Sequence, residues 1–312
     1  MHAIFTVAFP VFALIGIGWF AGRRHLLGAN GTGALNGFVT WFALPAMLFN
    51  ALSRVALGGI VNVSFVAVFG GSMVLTYLIG MVAARVVAGA GLAHMSLHGI
   101  AASFGNIGYM GIPLCLAAFG PAGVLPATLA VVLGAAGMLT FGLVIVEIGQ
   151  HRGQGAMATV GRAGGAAVRS PIVQAVALGM LVSAFGVPVP DPIQRFLDLL
   201  GTAAGPCALF AIGHFLSEQG VSGQRGEVAL ATIGKVFVQP AIALALLPFF
   251  PDLDATWGRS AVLLAALPSA ANAFVLARDY DIFVAGASAT VLLSTVLSVF
   301  TVSALIVYLG IG

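Results

Sequence analysis

An uncharged, apolar stretch from Ala101 to Phe119 is long enough to cross a bilayer, yet its middle carries residues that weaken helices. These residues are Gly105, Gly108, Gly111 and Pro113. Proline removes a backbone donor and clashes with the preceding turn, and each glycine weakens a helix by about 1 kcal/mol relative to alanine. Irregular backbone is tolerated in hydrocarbon only where it is buried in protein or lines a cavity. Because Asn106 lies at its centre, the interrupted stretch predicts the substrate site of a transporter.

The composition of the chain indicates a polytopic membrane protein in contact with a lipid bilayer. Of the 312 residues, 60% are hydrophobic and only 7% are charged, whereas soluble domains carry about 25% charged residues. The net charge of +3 comes mostly from single arginines between apolar runs. This placement favours a role in membrane orientation and argues against nucleic acid as a partner. Cys115 and Cys207 lie inside apolar segments and predict neither a disulfide nor a metal site.

Apolar runs of about 17–25 residues predict an all-α fold with ten transmembrane helices. The predicted spans are 3–21, 34–53, 63–84, 96–119, 124–148, 171–187, 195–217, 228–250, 258–277 and 283–309. The first run starts almost at Met1, and its charges, Arg23 and Arg24, follow it instead of preceding it. This order favours a first transmembrane helix over a signal peptide.

The arginines in the loops predict the orientation of these spans. With the N-terminus outside, eight basic loop residues fall inside and three fall outside, which is a positive-inside bias. The inside group is Arg23, Arg24, Arg85, Arg152, Arg162, Arg169, Arg225 and Arg278, and the outside group is Arg54, Arg195 and Arg259. Both termini are therefore expected to be extracytoplasmic.

The chain divides into two similar halves, residues 1–148 and 171–312, joined by a cytoplasmic linker at 149–170. Pro45-Ala-Met-Leu-Phe49 recurs 161 residues later as Pro206-Cys-Ala-Leu-Phe210. The other correspondences are Pro10 with Pro171, Gly18 with Gly179, and Asn106 with Asn272. Chance identity between apolar segments is the alternative. Because five spans is an odd number, a real repeat inserts the second half in the opposite orientation, giving two inverted five-helix repeats.

The ninth span mirrors the fourth, with a break at Pro268 and Ser269 and an amide at Asn272. Where two such broken helices cross, the N-termini of the half-helices direct unpaired N–H groups and positive dipole ends at the crossing. An anion can be held there without a buried positive side chain, and Asn106 and Asn272 add amide donors and acceptors. The alternative is that both asparagines bond neighbouring helices and the glycines serve close packing.

Four segments resemble those of the auxin efflux carrier family. Asn106–Leu114 and Pro268–Ala277 are similar to its signature segments, and Ala43–Phe49 and Lys235–Pro240 to its second and eighth spans. The resemblance implies ten helices in two inverted halves, with spans 1, 2, 6 and 7 as a scaffold. It also implies a transport part in which broken helices 4 and 9 cross beside the substrate. The family includes plant auxin exporters and bacterial carriers, some annotated for malonate or other organic acids. The long central loop of the plant exporters is absent here, so a bacterial organic-anion carrier is the better match.

The predicted substrate-binding residues fall into three groups. They are Gly105, Asn106, Gly108, Pro113, Pro268, Ser269 and Asn272 at the crossing, Pro45, Phe49 and Pro206, with Phe210, on the opposing scaffold face, and His214 and Lys235 in other spans. Lys235 is the one basic residue within a predicted span, where it either acts as a fixed cation or snorkels to the interface. His214 either relays protons and contacts substrate, or is a neutral histidine bonded to a neighbouring helix.

The remaining titratable residues predict no catalytic or metal centre. All nine acidic residues are expected in loops or near helix ends, so a carboxylate pair for proton antiport is not predicted. His94 and His98 stand four residues apart without a third ligand, which makes a weak metal site. Ser269 has no partnered histidine nearby in the sequence, which argues against an intramembrane enzyme. No nucleotide-binding loop is found, which argues against an ATP-driven pump.

These observations together predict a secondary active transporter of small organic anions, such as malonate, working by alternating access in a bacterial inner membrane. Both termini are then periplasmic. An auxin-like or other weak-acid efflux carrier and a passive anion channel are the alternatives. A receptor is disfavoured, because the longest loop has only about twenty residues. No cofactor is expected beyond a coupling Na⁺ or H⁺. The sequence does not decide whether the protein forms a homodimer.

Overall fold

The computed structural model describes residues 9–28, 30–53, 62–150, 169, 171–219 and 224–311. Over these ranges the chain is helical, and extended residues pair only at one isolated bridge, between Gly105 and Ser269. The prediction of an all-α protein is confirmed. The predicted linker at 149–170 lies almost wholly outside the described residues, and so do the first six residues of the first predicted span.

In the described part of the chain, thirteen helices cover the predicted spans, with bounds that differ by a few residues. They are α1 Phe9–Arg23, α2 31–52, α3 Val63–Ala88, α4 Leu92–Ser103, α5 107–119, α6 124–149, α7 Pro171–Ala184, α8 Asp191–Thr202, α9 Ala204–Ser217, α10 Arg225–Phe249, α11 Ala255–Ala265, α12 Ala271–Tyr280 and α13 Val284–Tyr308. The fourth span is α4 with α5, the seventh is α8 with α9, and the ninth is α11 with α12.

Six helical stretches of the described chain are long and apolar enough to cross a membrane. They are Gly31–Asn50, Val63–Ala88, Ile107–Gly149, Asp191–Ser217, Arg225–Phe249 and Val284–Tyr308. α1 and α7 are apolar but shorter, and α4, α11 and α12 are parts of interrupted spans. Large apolar side chains such as Val86, Leu199 and Phe300 are 70% exposed or more. Such surface suits contact with lipid and not with water.

Three prolines sit within continuous helices because a π-helical turn precedes each of them. Pro45, Pro113 and Pro240 cannot donate to the carbonyls of residues 41, 109 and 236, and their rings would strike those carbonyls in a regular α-helix. Each of these carbonyls lies at the centre of a π-helical turn. The turns are Val39–Ala43, Ile107–Gly111 and Gly234–Val238. The wider turn displaces the carbonyl, so the prolines do not end the helices.

Two helix pairs join the halves of the chain through glycine contacts. α1 packs along α9, and α7 packs along α2. Gly18 of α1 lies against the backbone of Phe210, where a Cβ atom would strike the Phe210 carbonyl oxygen. Gly179 of α7 lies against the backbone of Phe49, whose carbonyl oxygen would be 3.0 Å from such a Cβ. Glycine permits this close approach of two helix axes, as in other membrane bundles.

A second group of helices packs around α4. α3 packs along α4, which also contacts α6, α10 and α13. A buried hydrogen-bond chain fixes this packing, with Tyr77 Oη and Ser96 Oγ 2.7 Å apart and Ser96 donating to the Gly142 carbonyl at 2.7 Å. The chain satisfies the polar atoms of three helices in an apolar interior, as buried polar groups require.

Candidate functional site

The two interrupted spans meet at their breaks. α4 ends at Ser103 and α11 at Ala265, and an irregular segment follows each helix. The Asn106 N–H donates to the Pro268 carbonyl at 2.8 Å, and the Ala270 N–H donates to the Phe104 carbonyl at 3.0 Å. Gly105 thus faces Ser269 in the isolated antiparallel bridge. The broken backbones satisfy each other here, which makes irregular structure tolerable inside a membrane protein.

Two half-helices begin at this crossing with unpaired backbone donors. α5 starts at Ile107 and α12 at Ala271. The N–H groups of Gly108 and Tyr109 make no hydrogen bond to any described residue, and the same holds for those of Ala271 and Asn272. Helix N-termini carry partial positive charge in addition to such free donors. The arrangement can therefore accept an anion through the backbone.

The polar side chains at the crossing are only partly satisfied. Asn106 is 9% exposed, and its amide makes no hydrogen bond to the described residues. Asn272 is exposed in the first turn of α12. The Ser269 N–H donates to Ser294 Oγ at 3.0 Å, but the buried Ser269 Oγ has no partner within the described ranges. Native proteins rarely bury such groups unpaired, so the hydroxyl and the Asn106 amide are suited to bind a ligand.

The three glycines of the fourth span have different surroundings. A Cβ atom on Gly105 would lie 3.1 Å from Lys235 Cε and 3.3 Å from Nζ. One on Gly111 would lie 2.8 Å from Leu264 Cδ2. Gly108 has open space beside it, with no atom within 4 Å of such a Cβ. Gly105 and Gly111 therefore allow close packing, whereas Gly108 leaves room next to the free N–H groups.

Lys235 reaches the crossing and not the interface. Its side chain is fully buried, and Nζ donates to the Ala265 carbonyl at 2.7 Å and to Gln239 Oε1 at 2.5 Å. The Ala265 carbonyl is the C-terminal end of α11, where partial negative charge accumulates. The snorkelling alternative is wrong, because the side chain is fully buried and both of its hydrogen-bond partners lie inside the bundle. Lys235 places its side-chain nitrogen at the breaks of both spans.

A cavity of about 590 Å³ lies against α5, and its lining includes no residue of the two breaks. Its walls come from α1, α2, α5, α6, α8 and α9, and include the predicted site residues Pro113 and Pro206. A Cβ atom on Gly205 would lie 3.4 Å from Pro113 Cβ, so α9 and α5 nearly touch at the cavity wall. On the opposite side of the bundle, the rings of Phe215 and Phe274 are 6.0 Å apart.

The scaffold residues differ in where the structure places them. Pro206 lines the cavity, whereas Pro45, Phe49 and Phe210 do not. Pro45 follows the π turn of α2 and is half-buried. The backbone of Phe49 packs against a glycine of α7, and that of Phe210 packs against a glycine of α1. Both residues therefore contribute to the packing between the two halves.

His214 lies away from the crossing, near the C-terminal end of α9. Its side chain is 3% exposed, and Nδ1 is 2.7 Å from Thr32 Oγ1 in α2 and 3.6 Å from Glu218 Oε1. The structure therefore shows the histidine bonded to a neighbouring helix, which is one of the two sequence alternatives.

Two carboxylates were missed by the sequence analysis. Asp198 lies within α8 at the cavity wall, where Asn50 donates a hydrogen bond to it. Glu227 is 2% exposed in the first turn of α10, and its Oε1 lies 2.7 Å from His94 Nε2. From the sequence, all acidic residues were expected in loops or near helix ends. That expectation did not consider that a residue near a helix end, such as Glu227, can be buried. Within the described ranges, no three His, Cys, Asp or Glu residues gather as metal ligands.

The helical bundle with apolar exposed faces defines a multi-pass membrane protein, and the crossing of its broken helices is the kind of site that transporters use. The comparison with known families agrees. The chain belongs to the auxin efflux carrier family, whose model, described as "Membrane transport protein", matches residues 3–165 and 163–306.

Curated relatives span nearly the whole chain. A protein of Rhizobium meliloti (strain 1021) named "Putative malonate transporter" is 31% identical over 311 residues, covering 98% of this chain and 96% of its own. An "Uncharacterized transporter" of Methanothermobacter thermautotrophicus is 26% identical, with 92% of each chain covered. The "Uncharacterized transporter YfdV" of Escherichia coli (strain K12) is 23% identical, with 91% of each covered. These relatives are named as transporters, not as enzymes.

Proposed function

We propose that this protein is a secondary active transporter that moves small organic anions, such as malonate, across a bacterial inner membrane. The observation that carries the proposal is the crossing, where two half-helix N-termini present the unpaired N–H groups of Gly108, Tyr109, Ala271 and Asn272. A carboxylate matches these donors in charge and geometry. The Asn106 amide and the Ser269 hydroxyl supply further bonds to the anion.

Two inverted repeats of five helices form the architecture of this proposal. The reciprocal contacts support it, because Gly18 of the first half meets Phe210 of the second and Gly179 of the second meets Phe49 of the first. Two elements related by a pseudo-twofold axis make such exchanged contacts. The orientation predicted from the loop arginines places both termini in the periplasm.

Alternating access follows from movement of the crossing against the scaffold of α1, α2, α7, α8 and α9. In the proposed orientation the 590 Å³ cavity opens toward the periplasm. The other side is closed by the ring contact of Phe215 with Phe274 and by Ser288 Oγ, which donates to Gln219 Oε1 at 2.8 Å. The cavity wall between Pro113 and Gly205 has to separate or close as the transport part moves.

Lys235 acts in this proposal as a fixed cation that positions the crossing. It neutralises the C-terminal end of α11 and lies beside Gly105, at the end of α4. The N-terminal ends of α5 and α12 then face the anion without opposing negative charge nearby. The experiment below identifies the coupling ion, because uptake should respond to the imposed gradient of that ion, Na⁺ or H⁺.

Malonate is the first substrate to test, because the Rhizobium meliloti relative carries that name. The purified protein is reconstituted into liposomes preloaded with unlabelled malonate, and uptake of labelled malonate is followed with and without imposed Na⁺ or pH gradients. A carrier shows saturable uptake and counterflow. Unlabelled succinate is added as a competitor to test other dicarboxylates as substrates, and indole-3-acetate to test the auxin-like alternative.

Three results would contradict this proposal in different ways. Flux that rises linearly with concentration and shows no counterflow identifies a passive anion channel. Competition by indole-3-acetate but not by dicarboxylates identifies an auxin-like carrier. Absence of flux for every acid tested removes the organic-anion assignment and leaves membership of the transport family standing.

A further inference from the structure

A buried ion pair lies at the proposed cytoplasmic end of the bundle, away from the crossing. His94 of α4 and Glu227 of α10 approach to 2.7 Å between Nε2 and Oε1. The Glu227 side chain is 3% exposed and that of His94 is 28% exposed. Both facing atoms are shielded from solvent, and neither has hydrogen-bond geometry to a described residue, so the contact is an ion pair without hydrogen-bond alignment. The pair therefore has a dry contact at its centre and a histidine edge that reaches the surface.

Further contacts from two helices and the loop before α13 enclose the pair. His98 is fully buried, with Nε2 3.0 Å from the Glu227 carbonyl oxygen. The centroid of the Phe283 ring lies 5.3 Å from the ring centroid of each histidine. Phe283 adopts a φ of 57°, a left-handed conformation that is unfavourable for an aromatic residue. Such a conformation persists only where the surroundings enforce it, so the aromatic cover is a fixed part of the site.

The other charged groups on the surrounding helices are engaged elsewhere or lie at exposed helix ends. Arg85 Nη1 of α3 donates to the carbonyls of Gly89 and Ala90. Glu147 of α6 accepts a hydrogen bond from the Tyr280 hydroxyl. α12 carries Arg278, which lies over the Phe274 ring, and Asp279, and Asp281 follows in the turn after the helix. Arg225 is the first residue of α10. In the described chain, His94 is the group that forms an ion pair with Glu227.

A buried carboxylate without a partner costs several kcal/mol, whereas a carboxylate that shares a proton with an imidazole is neutral as a pair. We propose that His94 and Glu227 form a proton-binding site that couples the carrier to the proton gradient. In the loaded site His94 is an imidazolium that faces the Glu227 carboxylate, and the pair is neutral. On release, the proton on Nδ1, the ring nitrogen away from the pair, passes to water at the exposed edge of His94. Nε2 keeps its proton toward Oε1, and the pair takes a charge of minus one.

The two helices that hold the pair also meet at the crossing. α4 runs from His94 to its end at Ser103, nine residues on (103 minus 94), a distance of about 14 Å. α10 runs from Glu227 to Lys235, eight residues on (235 minus 227), or about 12 Å. Lys235 lies beside Gly105, just past the end of α4. Loss of the proton weakens one contact between α4 and α10, and the second contact of the same helices lies at the substrate site.

This inference rests on the proposed function, and malonate is the probe. Glu227→Gln, His94→Gln and wild type are reconstituted, and gradient-driven malonate uptake is divided by malonate counterflow for each protein. We expect the ratio to fall at least tenfold in both variants. His25→Asn is the matched control, because His25 is exposed outside the cluster and its φ of 53° suits asparagine. An unchanged ratio in Glu227→Gln contradicts the coupling role.

A second measurement needs no substrate. The melting temperature of the detergent-solubilised protein is recorded from pH 5 to pH 9. Raising the pH removes this proton and leaves the buried carboxylate facing a neutral imidazole instead of a cation, so wild type and His25→Asn lose stability more steeply than Glu227→Gln. Parallel curves for all three proteins overturn the proton site. If wild type shows no malonate counterflow, malonate is wrong as the substrate. The dependence of the melting temperature on pH still decides whether the pair binds a proton.

Discussion

Asn106 combines burial with an unbonded amide at the point where the two broken spans cross. We expect Asn106→Ala to reduce malonate transport at least tenfold, because an amide that contacts the anion is removed. Membrane insertion should be normal, since the Asn106 backbone bond to Pro268 does not depend on the side chain. Counterflow in proteoliposomes and the yield of monodisperse protein are the measurements.

Asn36→Ala provides the control for this variant, because Asn36 lies in α2 outside the crossing. It should transport as wild type does. Wild-type transport by Asn106→Ala would remove this amide from the site and favour its alternative role in helix packing.

Lys235 carries two hydrogen bonds with a single ammonium group at the crossing. Lys235→Met leaves the Ala265 carbonyl and Gln239 Oε1 without their donor, at a cost of about 1.5–3 kcal/mol for each charged bond. We expect a lower melting temperature and loss of transport. Gln239→Leu, which removes one acceptor and keeps the bond to Ala265, should lose less stability. Equal melting temperatures for wild type and Lys235→Met would show that the two bonds do not stabilise the fold.

At the scale of the helices, the contact of α1 with α9 depends on glycine. A Cβ atom at position 18 would strike the Phe210 carbonyl, whereas one at position 16 has no atom within 4 Å. Gly18→Ala should therefore destabilise the protein by about 1–3 kcal/mol through overpacking. Gly16→Ala on the same helix should be neutral or stabilising by up to about 1 kcal/mol. Thermal melts in one detergent compare the two directly, and equal melting temperatures would contradict the close packing.

The breaks in the fourth and ninth spans could be predicted from the sequence because their cause is local. Pro268 lacks an N–H wherever it lies, and Gly105 and Gly108 weaken any helix, whereas Pro113 falls inside the continuous helix α5 and does not cause the break. Asn106 at the centre of an apolar run was equally visible. The ends of the predicted spans agree with the helices to within a few residues for the same reason, since apolar length is read directly along the chain.

The parts of the site that escaped prediction depend on residues far apart in sequence. The stem of Lys235 is long enough to reach either the interface or the crossing, and only the packing of α4 and α11 decides between them. Glu227 looked like a residue at a helix end until His94, 133 positions earlier (227 minus 94), was found against it. The π-helical turns before Pro45, Pro113 and Pro240 were missed because proline was interpreted only as a break.

At the scale of the whole molecule, the proposed alternating access requires the crossing to move against the scaffold. Pro113→Cys with Gly205→Cys, in a background of Cys115→Ala and Cys207→Ala, tests this movement. The Cβ separation of 3.4 Å at these positions is close to the 3.5–4.5 Å of disulfides. We expect oxidation to abolish malonate counterflow and reduction to restore it. The two single cysteine variants should not respond to oxidant, and full transport by the cross-linked protein would contradict alternating access.

The backbone bonds between Phe104 and Ala270 and between Asn106 and Pro268 join segments that leave the ribosome far apart in time. Ala270 follows Phe104 by 166 residues (270 minus 104), which takes roughly ten to thirty seconds of translation at 5–20 residues per second. During that interval the carbonyl of Phe104 lacks the donor that it has in the finished protein. The nascent fourth span therefore needs another partner for this carbonyl, from water or from the insertion machinery, until the ninth span arrives, so the crossing is among the last parts of the protein to form.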